Sequence, residues 1–270
     1  MTSSIWVKKV RDNYFAKKRI HSVLLFFLLI SITYGAMVVT EYDAVKGLTS
    51  IPEAVNWGVT HFYPDAQAIQ KLPNILDKLM ETLLISVASA AVAGVFALLF
   101  AIFGSNTTRI NVFFSTVSRG IATLFRNIDV SVWSMILLFS LGQSALTGYV
   151  ALFFVSFGFL TRAFTETIDE VSASSVEALR ATGAGYVSIV MHSVIPSSLP
   201  QMVSWLLFMV ETNIRSATLV GILTGTGIGF SFDLYYKSLD YNSASLVVLT
   251  IVLTILLLEI TSNYVRRVIL

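Results

Sequence analysis

Glu177-Ala178-Leu179-Arg180-Ala181-Thr182-Gly183, running on to Pro196, decides how this chain is read. It is a polar, helix-forming segment set between long apolar runs. A chain built to sit in lipid that keeps such an element on its inner face hands force or information to a soluble partner. That points to transport driven from outside the chain.

The composition agrees with the lipid setting. Of 270 residues, 55% are hydrophobic and only 13% charged, and the mean hydropathy is +0.77. Soluble domains carry about 25% charged residues, so this chain lacks the charge to solvate a whole surface. The expectation is an all-α, multi-pass membrane protein whose core is partly faced by lipid. Cysteine is absent, which excludes disulfides and cysteine metal sites. His21, His61 and His192 share no metal-ligand spacing. No Ser/His/Asp or paired-carboxylate arrangement converges, so we expect no enzyme, no cofactor and no metal. The net charge of +2 is unremarkable, and no nucleic-acid partner is expected.

A spanning helix needs ~20 mostly apolar residues, and uncharged windows locate six spans. Ser22–Thr40 is the first, behind a basic opening that includes Lys8, Lys9, Arg11, Lys17, Lys18 and Arg19. That run exceeds the ~7–15 residues of a secretory h-region, so a retained span is expected over a cleaved leader. Residues 1–75 form this tail, the span and an external loop; residues 76–270 form the core. The loop holds Pro52, Pro64 and Pro73, with a short helix expected over Pro73–Met80. Thr82–Phe103 is the second span, its Ala88, Ala90, Ala91, Ala93 and Gly94 suited to close helix contact. An amphipathic half-helix from Ile110 kinks into a third span over Val130–Leu141. Tyr149–Phe164 is the fourth, and the polar segment follows over about 166–196. Pro196 and Pro200 open the fifth, Ser197 to about Thr218, since proline suits a first helical turn. Ala244–Tyr264 is the sixth.

Basic residues in short loops set the orientation. An inside N-terminus puts Arg109, Arg162, Arg180, Arg266, Arg267 and the basic opening on the cytoplasmic side. Only Lys46, Lys71, Lys78 and Lys237 then lie outside. Both termini, and the Glu177 segment, are therefore expected to be cytoplasmic. Arg119 and Arg126 are read as snorkelling to the inner interface.

Glu177-Ala178-Leu179, three residues, Gly183, and then Ser193-Val194-Ile195-Pro196 resembles the EAA loop of ABC-importer permeases. The family pattern is Glu-Ala-Ala, three residues, Gly, nine residues, Ile-x-Leu-Pro. The spacing is intact, while Leu179, Ser193 and Ile195 depart in type. The alternative is an ordinary amphipathic inner loop. A second stretch lifts the resemblance: Glu211-Thr212-Asn213-Ile214-Arg215-Ser216-Ala217-Thr218, Gly221, and Gly225-Thr226-Gly227-Ile228-Gly229 look like the same region of phosphonate-type permeases. Arg126-Asn127-Ile128-Asp129-Val130 with Trp133 looks like the start of that family's third span, with Asp129 where a proline is expected nearby. Together these cover most of Thr82–Leu270.

Glu211 and Arg215 share a helix face in the favourable order for an ion pair. Ionisable groups within a span are costly and face a cavity or partner. Arg215 therefore lies either on the route of an anionic substrate, oriented by Glu211, or in a structural lock; Asn213 lies off that face. The glycines Gly225, Gly227 and Gly229 are not a phosphate loop, because no Lys-Ser/Thr closes it and apolar spans flank it. They supply permissive backbone at a gate or helix break on the outer side.

The resemblance implies an ABC importer type I (MetI-like) permease fold in a bacterial cell membrane. It implies a second permease subunit, two ABC ATPase subunits docked on Glu177, Ala178, Leu179, Gly183 and Pro196, and an extracytoplasmic solute-binding protein. The implied substrate is phosphonate or a related phosphorus oxyanion such as phosphate or phosphite, with methionine as runner-up. An ion-coupled secondary transporter would want unpaired mid-membrane acids and an internal repeat, and neither is visible.

Overall fold

The computed structural model describes residues 3–269, with side chains over 17–43 and 45–268. All regular structure among these residues is helical. The side chains of Lys8, Lys9 and Arg11 lie outside the described set. The chain divides into two compact units, meeting at Thr60 and His61.

The first unit holds α1 (Ser3–Val39), α2 (Ala44–Thr49) and most of α3 (Ile51–His61). Within α1 the stretch Lys17–Val39 is long and apolar enough to cross a bilayer. Asp43 starts α2 by accepting hydrogen bonds from the Val45 and Lys46 amides, each at 3.0 Å, which satisfies donors the helix leaves free.

The second unit runs α4 (Ala66–Gln70), α5 (Leu72–Gly104), α6 (Val112–Asn127), α7 (Val130–Leu141), α8 (Ala145–Val171), α9 (Ala173–Ala181), α10 (Tyr186–Ile189), α11 (Ile195–Thr224), α12 (Gly227–Lys237) and α13 (Tyr241–Ile269). Here α5, α8, the helical run Tyr186–Thr224 and α13 are long and apolar enough to span, and α6 with α7 forms a bent pair. With Lys17–Val39 that makes five spans, or six if the pair counts as one, matching the sequence count. The second and fourth spans are longer than their uncharged windows suggest. At 33 residues, α5 measures about 50 Å at 1.5 Å per residue, beyond a hydrocarbon core of ~30 Å. Pro73 sits in its first turn, so the short helix expected before the span is the start of the span itself.

Helix α8 is the hub, packed on α5, α6, α7 and α11. A stripe of small residues on α5 meets its neighbours: Ser86, Ser89, Ala90, Ala93, Gly94, Ala97 and Ala101 are buried. Of the alanines singled out in the sequence, Ala88 and Ala91 point away and are exposed. The core gathers Ala93, Ala97, Phe157, Leu160, Phe164, Ile168 and Met209.

Two breaks have local causes. The bend between α6 and α7 is 91°. Ile128 and Asp129 are extended there, and the Asp129 carboxylate caps α7 by accepting from the Ser131 amide at 2.8 Å. Asp129 thus starts the helix that a proline would also start. The Trp133 ring stacks on Phe125 across the break at 5.4 Å, holding the two halves together. The second break differs from expectation. Pro196 does sit in the first turn of α11, but Pro200 lies inside that helix, and helical backbone already begins at Tyr186 and passes through a π-helical turn, Val190–Val194. Proline removes a donor and crowds the carbonyl four residues back, and the wider turn absorbs that misfit.

Candidate functional site

The segment Ala173–Ala181 is a short helix held down on one side and open on the other. Val176 is buried against Ile168, Ile189 and Val194, and Leu179 packs beside it. Glu177, Ala178, Gly183 and Pro196 are exposed, while Leu179 is half-buried. Among the five sequence-derived docking residues, Leu179 alone is therefore an anchor. The helix ends in a Schellman motif: the Ala184 amide donates to the Leu179 carbonyl at 3.2 Å, and the Gly183 amide to that of Arg180 at 3.0 Å. Gly183 has φ of +79°, and a Cβ there would meet nothing within 4 Å. Glycine is required by backbone conformation, not by space.

Next to this helix lies a cluster that sequence reasoning missed. Asp169, near the end of α8, accepts hydrogen bonds from Ser105 Oγ at 2.6 Å, the Thr107 amide at 3.0 Å, Thr107 Oγ1 at 3.1 Å and Asn106 Nδ2 at 3.3 Å. Arg119 Nη2 stands 3.6 Å from its other side. Arg119 does not simply snorkel: its Nε donates to the Gly104 carbonyl at 2.7 Å, the last residue of α5. Arg180 Nη2 donates to the Thr107 carbonyl at 2.7 Å. Beside this cluster a cavity of about 410 Å³ is lined by Arg119, Thr123, Thr161, Arg162, Glu166 and Asp169. A run of hydroxyl and amide residues, Ser105-Asn106-Thr107-Thr108, was the available signal, but its acceptor lies over sixty residues away.

Midway along α11, one helical turn faces two ways. Asn213 is 1% exposed and bridges three helices: its Nδ2 donates to Ser156 Oγ at 2.8 Å and to Ser89 Oγ at 3.2 Å. Glu211 and Arg215 lie on another face, paired at 3.2 Å as their spacing predicts. Arg266 of α13 also reaches Glu211, at 3.8 Å. One carboxylate therefore sits between two guanidiniums, leaving the cluster with net positive charge. Arg266 was read in the sequence only as part of a basic chain end.

The glycine-rich stretch is mostly helix. Gly225 ends α11 in the left-handed conformation, and Gly227, with φ of +63°, starts α12. Gly221 and Gly229 instead mark where α11 and α12 cross at backbone distance. A Cβ on Gly221 would come 2.5 Å from the Thr226 carbonyl oxygen, and one on Gly229 would overlap the Thr218 carbonyl. This region and the α9 surface occupy opposite ends of α11, since the 29 residue steps from Pro196 to Gly225 span roughly 43 Å as helix.

At the Gly225 end, Lys71 bonds Asp240 at 2.5 Å and Ser243 at 3.0 Å, tying the start of α5 to the start of α13. The hydrogen bond to Asp240 raises the Lys71 amine above its usual range, against the opposing pull of burial. Burial pushes the Asp240 carboxyl up, but the hydrogen bonds from Lys71 and Ser243 outweigh it and leave it low.

A family model described as the binding-protein-dependent transport system inner membrane component matches residues 93–269. The chain is similar to the phosphite transport system permease protein PtxC of Stutzerimonas stutzeri, 27% identical over 225 residues, 83% of this chain and 81% of that protein. It is also similar to the phosphate-import permease protein PhnE of Mycolicibacterium smegmatis, 27% identical over 191 residues, 71% of this chain and 36% of that protein. Among solved structures, an inward-facing conformation of the MetNI methionine ABC transporter superposes with a TM-score of 0.65. The identity there is 18%, with coverage of 76% of this chain and 99% of that one.

Proposed function

The chain belongs to the family of binding-protein-dependent transport system inner membrane components, and we propose that it forms the translocation path of an ATP-driven importer for a phosphorus oxyanion. Phosphite, phosphate and phosphonate make up that class. The observation that carries it is that two relatives matched over most of this chain are named for phosphite and phosphate transport. The motif resemblance to phosphonate-type permeases over 211–229 supports the same class.

In this reading Glu177 and Ala178 on the exposed face of α9, with Gly183 just past its end and the exposed Pro196 of α11, receive an ABC ATPase on the cytoplasmic side. Leu179 anchors α9 to the spans. Two permease subunits, alike or different, enclose the path; two ATPases close on nucleotide, and an extracytoplasmic binding protein delivers the solute. The excess of basic residues on the α9 side supports a cytoplasmic placement of both termini. Arg215, half-exposed beside Glu211, offers a guanidinium to a passing oxyanion, where bidentate geometry suits phosphorus–oxygen groups. The helix break at Gly225 and Gly227 is the flexible element at the outer end.

A second reading of Glu211 and Arg215 has its own support: the approach of Arg266 to Glu211 makes the cluster a lock between α11 and α13. Uptake of radiolabelled phosphite, phosphate and an alkylphosphonate separates the two. The assay uses cells expressing the chain together with a cognate ABC ATPase and solute-binding protein. Arg215→Ala should cut oxyanion uptake at least about tenfold, the scale of a lost charge-assisted contact, with the amount of folded protein unchanged. Loss of folded protein instead would favour the lock. ATP-independent uptake, or uptake of none of the three oxyanions, would refute the assignment.

A further inference from the structure

We propose that Arg180 and Asp169 make the 105–111 turn a mechanical link, so that α5, α6 and α8 follow α9 as one body when it is pushed. This rests on the reading of α9 as the ATPase-docking helix and adds the residues that pass its motion on.

The N-terminal end of α9 is joined covalently to α8 through Ser172. Its apolar contact through Val176 is non-directional and lets the helix tilt. Ser175 reaches Ser193, in the π-helical turn that follows it in the chain. Among the described residues, Arg180 alone carries a side-chain hydrogen bond from α9 to anything beyond residues 172–194, and its target is the Thr107 carbonyl. The amide of that same Thr107 donates to Asp169. The directional part of a displacement of the far end of α9 is thus delivered through Arg180 to the inner end of α8, beside the apolar contact of Leu179.

Asp169 holds four hydrogen bonds as well as the Arg119 ion pair. An ionised carboxylate has about four acceptor positions, so the turn is bound as tightly as this group allows. Arg119 carries the connection on into α6 and, through the Gly104 carbonyl, into α5. Without Arg180, the far end of α9 would be held to the spans only by the non-directional apolar packing of Val176 and Leu179. The helix would pivot on α8 while α5 and α6 lagged behind.

The chain has no cysteine, which makes spin labelling clean. Thr116→Cys on α6 and Ala181→Cys on α9 are both exposed, and pulsed electron resonance reads the distance between their labels in the purified complex with its ATPase. With and without ATP–vanadate, that distance should hold constant in the otherwise native complex. It should change by more than about 2 Å, the scale of interface helix shifts, once Arg180→Ala or Asp169→Asn is added. ATP hydrolysis should stay within about twofold of native, while phosphate moved per ATP falls at least about fivefold, as loss of a charge-assisted bond within a network predicts. Arg180→Lys, which keeps a cationic N–H donor on a long stem, should restore much of that ratio; a merely structural role would not link the ratio to the distance. A nucleotide-dependent distance in the native complex, or an unchanged one in Arg180→Ala, would overturn the link alone. A native complex that hydrolyses no ATP would overturn the docking reading first, and the link with it.

Discussion

Replacing Gly183 separates a backbone requirement from a docking requirement. Its φ of +79° lies in the left-handed region, which costs an ordinary side chain about 1–2 kcal/mol. A Cβ at that position meets nothing within 4 Å, so no steric penalty inside the chain is added. Gly183→Ala and Gly183→Leu therefore carry nearly the same intramolecular cost, one that a fold stable by about 5–15 kcal/mol can absorb. They differ only in how far they project from an exposed surface. If an ATPase covers that surface, leucine must clash or repack, at about 1–3 kcal/mol for overfilling a packed contact. Leucine should then weaken ATPase binding by roughly ten- to a hundredfold relative to alanine. The measurement is binding of the ATPase to purified variants in detergent, alongside uptake in cells. Gly183→Asn is the control: asparagine tolerates the left-handed region, so it adds projection with little strain and should resemble leucine more than alanine. If alanine and leucine lose equally, with asparagine near native, strain in the α9 cap explains everything and the docking surface lies elsewhere.

Three other outcomes follow from the packing and charge. Asn213→Leu should lower the melting temperature in detergent, because the bridge to Ser89 and Ser156 is worth about 1–2 kcal/mol in a membrane interior; an unchanged melting temperature would show that the bridge adds nothing. Gly229→Ala should destabilise the chain by about 1–3 kcal/mol, since the new methyl overlaps the Thr218 carbonyl and α12 must move off α11; a native melting temperature would contradict that close crossing. The Lys71–Asp240 tie should contribute below about 1 kcal/mol, because both side chains are about a third or more exposed. Asp240 is held below its ordinary 3.8, so its share is present above that value and is lost as pH falls through the lower folded value. Lys71 is raised above 10.5, so its share is present below that value and is lost as pH rises through the higher folded value. The stability difference between native and Asp240→Asn should be flat from about pH 5 to 9 and shrink in acid; a difference that grew in acid would contradict the assignment.

The spans were legible because hydropathy is a local, additive property: twenty apolar residues announce themselves wherever they occur. The Glu211–Arg215 pair was legible for the same reason, its four-residue spacing being fixed by the helix. What the sequence hid depends on distance in the chain. Asp169 reads as one acid in a cluster, and Arg119 as a stray charge in an apolar run, until the fold sets them 3.6 Å apart over the α5–α6 turn. Gly229 and Gly221 look like one flexible linker with Gly225 and Gly227, because composition does not distinguish a glycine needed for φ from one needed for contact. Only the crossing of α11 over α12 makes that difference. The same holds for Pro196, where the sequence marks a disturbance and the π-helical turn before it is one of several ways to absorb it.

The placement of polar groups also divides the second unit into parts that stay together and parts free to shift. Asn213 fastens α11 to α5 and α8 near mid-span, and Asp169 fastens the same α5 and α8 again at the α9 end. Two helices pinned at two levels by buried or half-buried hydrogen bonds resist shear, because moving either one breaks bonds at both levels at once. By contrast, the polar ties of α13 gather at its start, where Lys71 bonds Asp240 and Ser243 and Asn242 bonds Asp65; further along it has the Arg266–Glu211 approach at 3.8 Å and apolar packing. Apolar packing slides at low cost compared with breaking a buried hydrogen bond. On the proposed docking of an ATPase at α9, a push there would be resolved mainly into motion of the α5–α6–α8 body against α13. Cross-linking α13 to α11 near Arg266 should therefore arrest a transport cycle more completely than cross-linking α5 to α8, which already move as one.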